Sequence, residues 1–244
     1  SRSGEKTCRA HLEQSFAGKE AAIRFDIFGG HSSEGEIQRM RDIVRAHGID
    51  CVAGVGGGSA IDTAKATAYY EGLPVLVIPT VSATDAPCTG LSVVYKDDGS
   101  FSKYLFYPKN PDVVLVDSTV IANAPVKFLV AGMGDALGTY FEARMCARAK
   151  APSLENGGIT RSALALCRLC YETLLENGAR AKAAVERPVK KGAGAMSSVH
   201  MKLVMIMVLL IVCPVMLWFC GKKKWLSVYL FTMLGILLTL VLFG

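Results

Sequence analysis

The sequence predicts an α/β fold: a Rossmann-like parallel sheet, then an all-α domain, then a two-helix transmembrane hairpin. Short apolar strands alternate with helices between residues 21 and 116, as in doubly wound parallel sheets. From residue 125 onward the apolar residues recur with helical spacing only. Residues 203–220 and 225–243 contain no charged side chain, and each run is close to the roughly 20 residues that cross a bilayer core.

The individual elements follow from apolar periodicity and turn residues. Residues 34–47 place Ile37, Met40 and Val44 on one stripe and stop at Gly48, which predicts an amphipathic helix. A Lys-Asp-Asp-Gly turn at 96–99 predicts a hairpin. The full prediction is strands at 21–28, 51–55, 73–78 and 113–116, hairpin strands at 92–95 and 104–107, and helices at 34–47, 59–70, 127–148 and 159–176.

Four segments are therefore expected. They are an α/β domain at 1–124, the start of a helical domain at 125–186, a basic linker at 187–202, and the hairpin at 203–243. The net charge of +6 includes four lysines at residues 201–244, where no acid occurs, so the body is nearly neutral and gives no reason to expect nucleic acid.

The compartment is predicted from the first residues and the cysteines. Residues 1–16 contain no apolar secretory segment, and the eight cysteines are scattered, which favours reduced core thiols in a cytoplasmic protein. Cys167 and Cys170 could form a metal or redox pair, but core packing in a helix is the preferred interpretation. A genuine hairpin would make the protein membrane-associated.

A glycine turn follows the strand at 51–55. Gly56, Gly57 and Gly58 precede a helix, so backbone N–H groups and the helix N-terminus could bind a phosphate. A tight strand-to-helix turn, with Ser59 as N-cap and Asp62 as its capping-box partner, explains the same residues. The two interpretations are compatible.

A polar loop at 79–87 follows the next strand. Loops at this edge of open α/β sheets bind ligands, so Thr80, Ser82 and Thr84 could bind ribose or amide groups, and Asp85 a substrate hydroxyl. A turn-rich structural loop is the alternative. Further along, Asp135 lies alone in an apolar helix, and the four histidines do not supply a helical metal-binding pair.

Four motifs in register resemble the glycerol dehydrogenases of the iron-containing (group III) alcohol dehydrogenase superfamily. They are GGGSAIDTAKA, PTVSATDAPCTGLSVVY, YPKNPDVVLVDS and AGMGDALGTYFEAR, and the match covers about residues 28–186. The resemblance implies an NAD-binding α/β domain, a helical domain and a divalent metal between them, usually zinc, with iron as the alternative. It is compatible with a homo-oligomer.

Site residues follow from the resemblance position by position. Asp85 would bind the hydroxyls of glycerol or a small polyol, and Asp135 would be a metal ligand. The cofactor NAD would be contacted by Gly57, Gly58, Ser59, Asp62, Thr80, Ala83, Thr89, Leu91 and Tyr95. The implied reaction is metal-dependent oxidation of glycerol to dihydroxyacetone by NAD.

The sequence also departs from the family pattern. The family's first strand is expected before Ser1, and its two metal-binding histidines in the region where residues 187–244 differ. We therefore expect impaired or absent turnover in this chain. The alternative to an enzyme is a membrane-anchored, inactive nucleotide-binding remnant or a frameshifted gene product.

Overall fold

The computed structural model describes residues 1–153 and 157–186, and these contain six helices and five strands. The helices are α1 (Arg2–Phe16), α2 (Glu34–Ala46), α3 (Gly58–Glu71), α4 (Ser118–Ala122), α5 (Val126–Ala149) and α6 (Arg161–Glu186). The strands are β1 (Val52–Gly56), β2 (Val75–Pro79), β3 (Leu91–Tyr95), β4 (Phe101–Phe106) and β5 (Val113–Val114).

The central sheet is parallel, with strand order β1-β2-β5. Val75, Val77 and Ile78 of β2 are buried, as expected for the middle strand of a sheet that is covered by helices. The register pairs Val52 with Val75 and Gly56 with Pro79, so β1 and β2 end at the same level. Their following loops therefore leave from one edge of the sheet.

Helix α3 covers this sheet through an almost entirely buried surface. Every residue from Ala60 to Ala68 is buried, and Ile61 packs with Val75 and Val77. A Cβ atom on Gly54 of β1 would lie 2.8 Å from the Cβ of Ala64, so the missing side chain lets helix and strand approach closely. This contact fixes where α3 begins relative to the end of β1.

Strands β3 and β4 form a separate antiparallel hairpin. Its register is irregular between Val94 and Tyr95, and the turn closes through hydrogen bonds between Lys96 and Ser100 and between Gly99 and Lys96. Val94 packs with Ile37 of α2 and Ala66 of α3, which places the hairpin beside these helices. The hairpin predicted from the Lys-Asp-Asp-Gly turn is confirmed.

The chain divides into two compact units, Ser1–Asp135 and a second that begins at Ala136. In the second unit, Tyr140 and Phe141 of α5 contact Tyr171 of α6. Cys167 and Cys170 of α6 are free and buried, and burial raises the pKa of each thiol to about 11. Core packing is thus the correct interpretation of this cysteine pair. The predicted domain boundary after residue 124 stays a prediction.

One local prediction is wrong, and two helices were not predicted. The strand expected at 21–28 does not form: most of its residues are exposed, and no strand in the described ranges pairs with them. Alternating apolar residues favour a strand only where a partner is available. Helices α1 and α4 were not predicted. Asp117 is the N-cap residue of α4, and its carboxylate accepts hydrogen bonds from the N–H groups of Thr119 and Val120.

The fold class is corrected in its membrane part. The α/β part is confirmed, but across residues 1–153 and 157–186 no helix is sufficiently long and apolar to span a bilayer. The longest helices, α5 and α6, exceed the required length but carry charges along it, among them Asp135, Arg144, Arg168 and Glu172. The expected spans 203–220 and 225–243, with the linker 187–202, lie outside the described residues, and the hairpin is removed from the fold description.

Candidate functional site

The candidate site lies at the edge of the sheet where β1 and β2 end. Gly57 follows β1 and Thr80 follows β2, and the N–H of Thr80 donates to the carbonyl of Gly56 at 3.0 Å. This bond extends the parallel ladder by one residue and joins the two loops that leave the sheet here. The first loop is the glycine turn at residues 56–58, and the second loop comprises residues 80–91, up to the first residue of β3. Ligands of open α/β sheets bind at this edge.

The first loop is a glycine turn that leads directly into α3. Gly56 has a backbone φ angle of +154°, a value that residues other than glycine rarely adopt. Gly57 is the N-cap residue of α3, and no side chain caps this helix. The first-turn N–H groups and the positive end of the helix dipole are thus suited to an anionic group such as a phosphate.

This geometry changes the interpretation of Ser59 and Asp62. The helix begins at Gly58, so Ser59 lies in its first turn and is not the N-cap residue predicted as the alternative. Ser59 is exposed at the start of the helix, beside the glycines. Asp62 faces inward and makes no capping box. Neither Ser59 nor Asp62 therefore caps the start of α3.

The two loops are in direct contact. A Cβ atom on Gly58 would lie 2.9 Å from Cγ2 of Thr84, and one on Gly57 would lie 3.3 Å from Cγ2 of Val81. Glycine at these positions lets the second loop approach the start of α3. The predicted cofactor residues of the turn and of the loop are thus neighbours.

Within the second loop, the predicted residues differ in exposure. Thr80 and Thr89 are buried, whereas Ala83 and Leu91 are partly exposed. The hydroxyl of Thr84 accepts a hydrogen bond from the N–H of Ala86 at 3.1 Å. This hydrogen bond stabilises the loop locally, and the loop keeps part of its surface open at the sheet edge.

Tyr95 lies further away along the hairpin. It ends β3, and its N–H donates to the carbonyl of Ser32 at 2.9 Å, beside a parallel bridge between Ser33 and Tyr95. These contacts attach the hairpin to the residues that precede α2. Tyr95 therefore lies at the end of β3, on the hairpin that follows the second loop, and not in the glycine turn.

Asp62 is engaged inside the protein. Its Oδ1 lies 3.0 Å from Nζ of Lys65, and its Oδ2 accepts from the N–H of Val93 at 3.2 Å. Both residues of the ion pair are buried. The structure thus places the Asp62 carboxylate against the hairpin, and a direct contact of this carboxylate with a cofactor stays a prediction.

Two carboxylates interact electrostatically beside the second loop. Burial raises the pKa of Asp85, and the negative charge of Asp135 raises it further. Asp135 is more exposed, and its pKa is also raised by partial desolvation. Helix α5 reaches this loop through Gly132, where an added Cβ atom would overlap with the carbonyl oxygen of Ser82. This approach brings the predicted substrate and metal residues together.

The implied metal does not have a complete ligand set in the described residues. A protein metal site needs about three ligands. Within 1–153 and 157–186, no three His, Cys, Asp or Glu side chains are grouped in a way that could hold an ion. Asp135 and Asp85 alone do not fit the expected metal, and no reaction step is derived through it.

Two residues that make buried or close contacts around the site were not predicted from the sequence. Lys65 is a buried cation on α3, and Gly132 is the contact of α5 with the second loop. The signal for Lys65 was its position within the alanine-rich segment 60–68, three residues after Asp62. No comparable signal distinguishes Gly132 from Gly134, because both lie in the same helical segment.

Comparison with known proteins identifies the class. The family model for iron-containing alcohol dehydrogenases matches residues 3–118. Glycerol dehydrogenase of Thermotoga maritima is 54% identical over 164 residues, which is 67% of this chain and 45% of that protein. Glycerol dehydrogenase of Escherichia coli is 47% identical over 178 residues, 73% of this chain and 48% of that protein.

A solved structure agrees with the sequence matches. The probable glycerol dehydrogenase of Sinorhizobium meliloti superimposes with a TM-score of 0.73 at 36% identity, over 87% of this chain and 57% of that one. The matched part of the chain belongs to the iron-containing alcohol dehydrogenase family, an oxidoreductase family, and the resemblance stated from the motifs is confirmed. The chain spans about half the length of the curated relatives it matches.

Proposed function

We propose that the chain carries the nucleotide-binding part of an NAD-dependent oxidoreductase that acts on glycerol or a small polyol. The relatives named above are glycerol dehydrogenases, and two of the motifs shared with them, GGGSAIDTAKA and PTVSATDAPCTGLSVVY, begin at the ends of the neighbouring strands β1 and β2. When bound, NAD supplies the hydride acceptor for oxidation of an alcohol. The chain's own residues bind and orient the reactants.

The contact between the glycine turn and the second loop carries this proposal. Gly57 and Gly58 open α3 at the end of β1, and the second loop begins with Thr80 at the end of β2. Because the Gly58 position touches Thr84, one extended molecule could cover both loops. A pyrophosphate would bind the first-turn N–H groups of α3, and the nicotinamide end would follow the loop from Thr80 to Leu91.

Asp85 is the proposed substrate residue. It lies in the second loop, partly exposed, with Asp135 near enough to raise its pKa. A carboxylate accepts hydrogen bonds, so it suits the adjacent hydroxyls of a polyol better than a phosphate or carboxylate substrate. Asp135 is the proposed metal ligand by family position, but the described residues do not complete a site around it.

Nucleotide binding is the first test of this function. NADH is titrated into the purified chain and its fluorescence is followed, beside the variant Gly58→Val. A larger side chain at position 58 meets Thr84 and fills the space between the loops. We expect saturable binding by the parent chain and at least about a tenfold weaker Kd for the variant, the effect of losing more than one hydrogen bond.

Turnover is the second test. Glycerol and NAD are supplied with added zinc or iron, and absorbance of the reduced nucleotide is measured. Gly134→Ala, whose added methyl group meets no atom within 4 Å, is the control variant. Glycerol-dependent reduction supports a working enzyme, and binding without reduction supports the inactive nucleotide-binding alternative. Absence of NADH binding by the folded parent chain contradicts the proposal.

A further inference from the structure

Lys65 is a buried cation among the buried residues of α3. Only 2% of its surface is exposed, although lysine is rarely buried in proteins. Burial of an ammonium is costly unless its charge and its three N–H donors are satisfied. The surroundings of Lys65 therefore need to supply several acceptors.

The acceptors come from one segment of the second loop. The ammonium of Lys65 donates to the carbonyl oxygens of Ala86 at 2.8 Å and Leu91 at 2.5 Å. Thr89 offers its carbonyl oxygen at 3.3 Å and its hydroxyl at 3.4 Å. Asp62 balances the charge at 3.0 Å. The ammonium thus binds the beginning, middle and end of the segment 86–91.

Asp62 extends the same attachment into β3. Its Oδ2 accepts from the N–H of Val93, and its carbonyl oxygen accepts from the hydroxyl of Ser92. The loop and the start of the hairpin are thus joined to α3 by one buried polar cluster. The glycine turn precedes the same N-terminal half of α3, so this half of the helix contacts both loops of the candidate site.

We propose that Lys65 is a positioning residue that holds the segment 86–91 in place for the nicotinamide half of the cofactor. The inference rests on the proposed function, because only the assignment of NAD to this edge gives the segment a ligand. The glycine turn is held by β1 and α3 without Lys65. Loss of the ammonium should therefore weaken contacts to one half of the dinucleotide and spare the other half.

The experiment compares two ligands on three variants. NADH occupies both loops in the proposed arrangement, whereas ADP-ribose lacks the nicotinamide. Lys65→Met removes the ammonium, and the pair Asp62→Asn with Lys65→Met also removes the buried carboxylate, while the asparagine oxygen can still accept from Val93. Lys103→Met is the matched control, because Lys103 is exposed on β4 and pairs with Glu34 at the start of α2.

Two quantities are measured for each folded protein: the Kd of both ligands and hydrogen exchange of the peptide covering 86–91. We expect the double variant to lose at least about tenfold in NADH affinity relative to ADP-ribose, the effect of more than one lost hydrogen bond. Exchange at 86–91 should accelerate, while exchange in α2 stays unchanged. Lys103→Met should change neither quantity. If the single variant Lys65→Met folds, it should show the same selective loss of NADH affinity and the same faster exchange at 86–91.

Equal loss for NADH and ADP-ribose would overturn the positioning role, and so would unchanged affinity and exchange in the double variant. Failure of the proposed function looks different, because then the parent chain itself binds neither ligand. In that case the exchange result still decides whether Lys65 holds the segment. The double variant keeps the test valid if Lys65→Met alone leaves Asp62 unpaired and unfolds the protein.

Discussion

At the scale of single residues, the site depends on glycines, which carry no side chain, as much as on residues with large or charged side chains. Gly58 admits Thr84 beside the start of α3, and Gly132 admits the carbonyl of Ser82 beside α5. Buried charges add the second constraint, because Lys65 and Asp62 satisfy each other inside the protein. Asp85 has no such cation at ion-pairing distance among the described residues.

The close approach at Gly132 predicts a stability loss. Gly132→Ala places a methyl group against the carbonyl of Ser82, so the helix or the loop has to move. We expect a decrease of about 1–3 kcal/mol in the free energy of unfolding, typical of overpacking. Urea unfolding followed by circular dichroism measures it. Gly134→Ala meets nothing within 4 Å and should gain up to about 1 kcal/mol from helix propensity.

Replacement of Asp85 is predicted to increase stability, in contrast to replacement of Gly132, and this increase depends on pH. Burial and Asp135 raise its pKa in the folded state above the ordinary value of 3.8, so ionisation costs stability. The stability is fully present below the ordinary pKa and is lost as the pH rises through the folded-state pKa. Asp85→Asn should therefore raise Tm at about pH 7, with no gain at about pH 3. A gain that persists at the lower pH would contradict this origin.

At the scale of elements, the packing of α3 on β1 decides the position of the glycine turn. Gly54 and Ala64 face each other at a distance that excludes a second methyl group. The helix is buried from Ala60 to Ala68, so it has no free surface onto which it could shift. A displacement at this contact would move the first turn of α3 with it.

A double-mutant cycle tests this contact. Gly54→Ala alone should cost about 1–3 kcal/mol of unfolding free energy by overpacking, and Ala64→Gly alone about 1 kcal/mol by helix propensity. The double variant removes the clash, so its cost should be below the sum of the two single costs. Chemical denaturation gives all three values. Strict additivity would show that the two positions do not restrict each other.

The elements differ in how far their sequence predicts them. The helix α2 and the strands β1 and β2 were predicted because their periodicity and their glycine boundaries agree with the fold. The strand expected at 21–28 failed because alternation does not supply a partner strand. The site edge was predicted from strand-loop order, but the buried contacts of Lys65 join residues 65 and 86–91, and no local pattern encodes such a separation.

At the scale of the whole chain, the parallel pairing of β1 and β2 brings two of the shared motifs to one sheet edge, because these motifs begin where the two strands end. The unit Ser1–Asp135 contains all of the predicted nucleotide, substrate and metal residues. The family match, residues 3–118, falls within this unit. We therefore propose that the first unit recognises the nucleotide.

The most direct test of the central claim is a crystal structure of the chain with NAD. The account predicts density for the pyrophosphate at the N–H groups of Gly58 and Ser59, and density for the nicotinamide along the segment between Thr80 and Leu91. A dinucleotide bound at another surface, with the glycine turn unchanged and without ligand, would contradict the account.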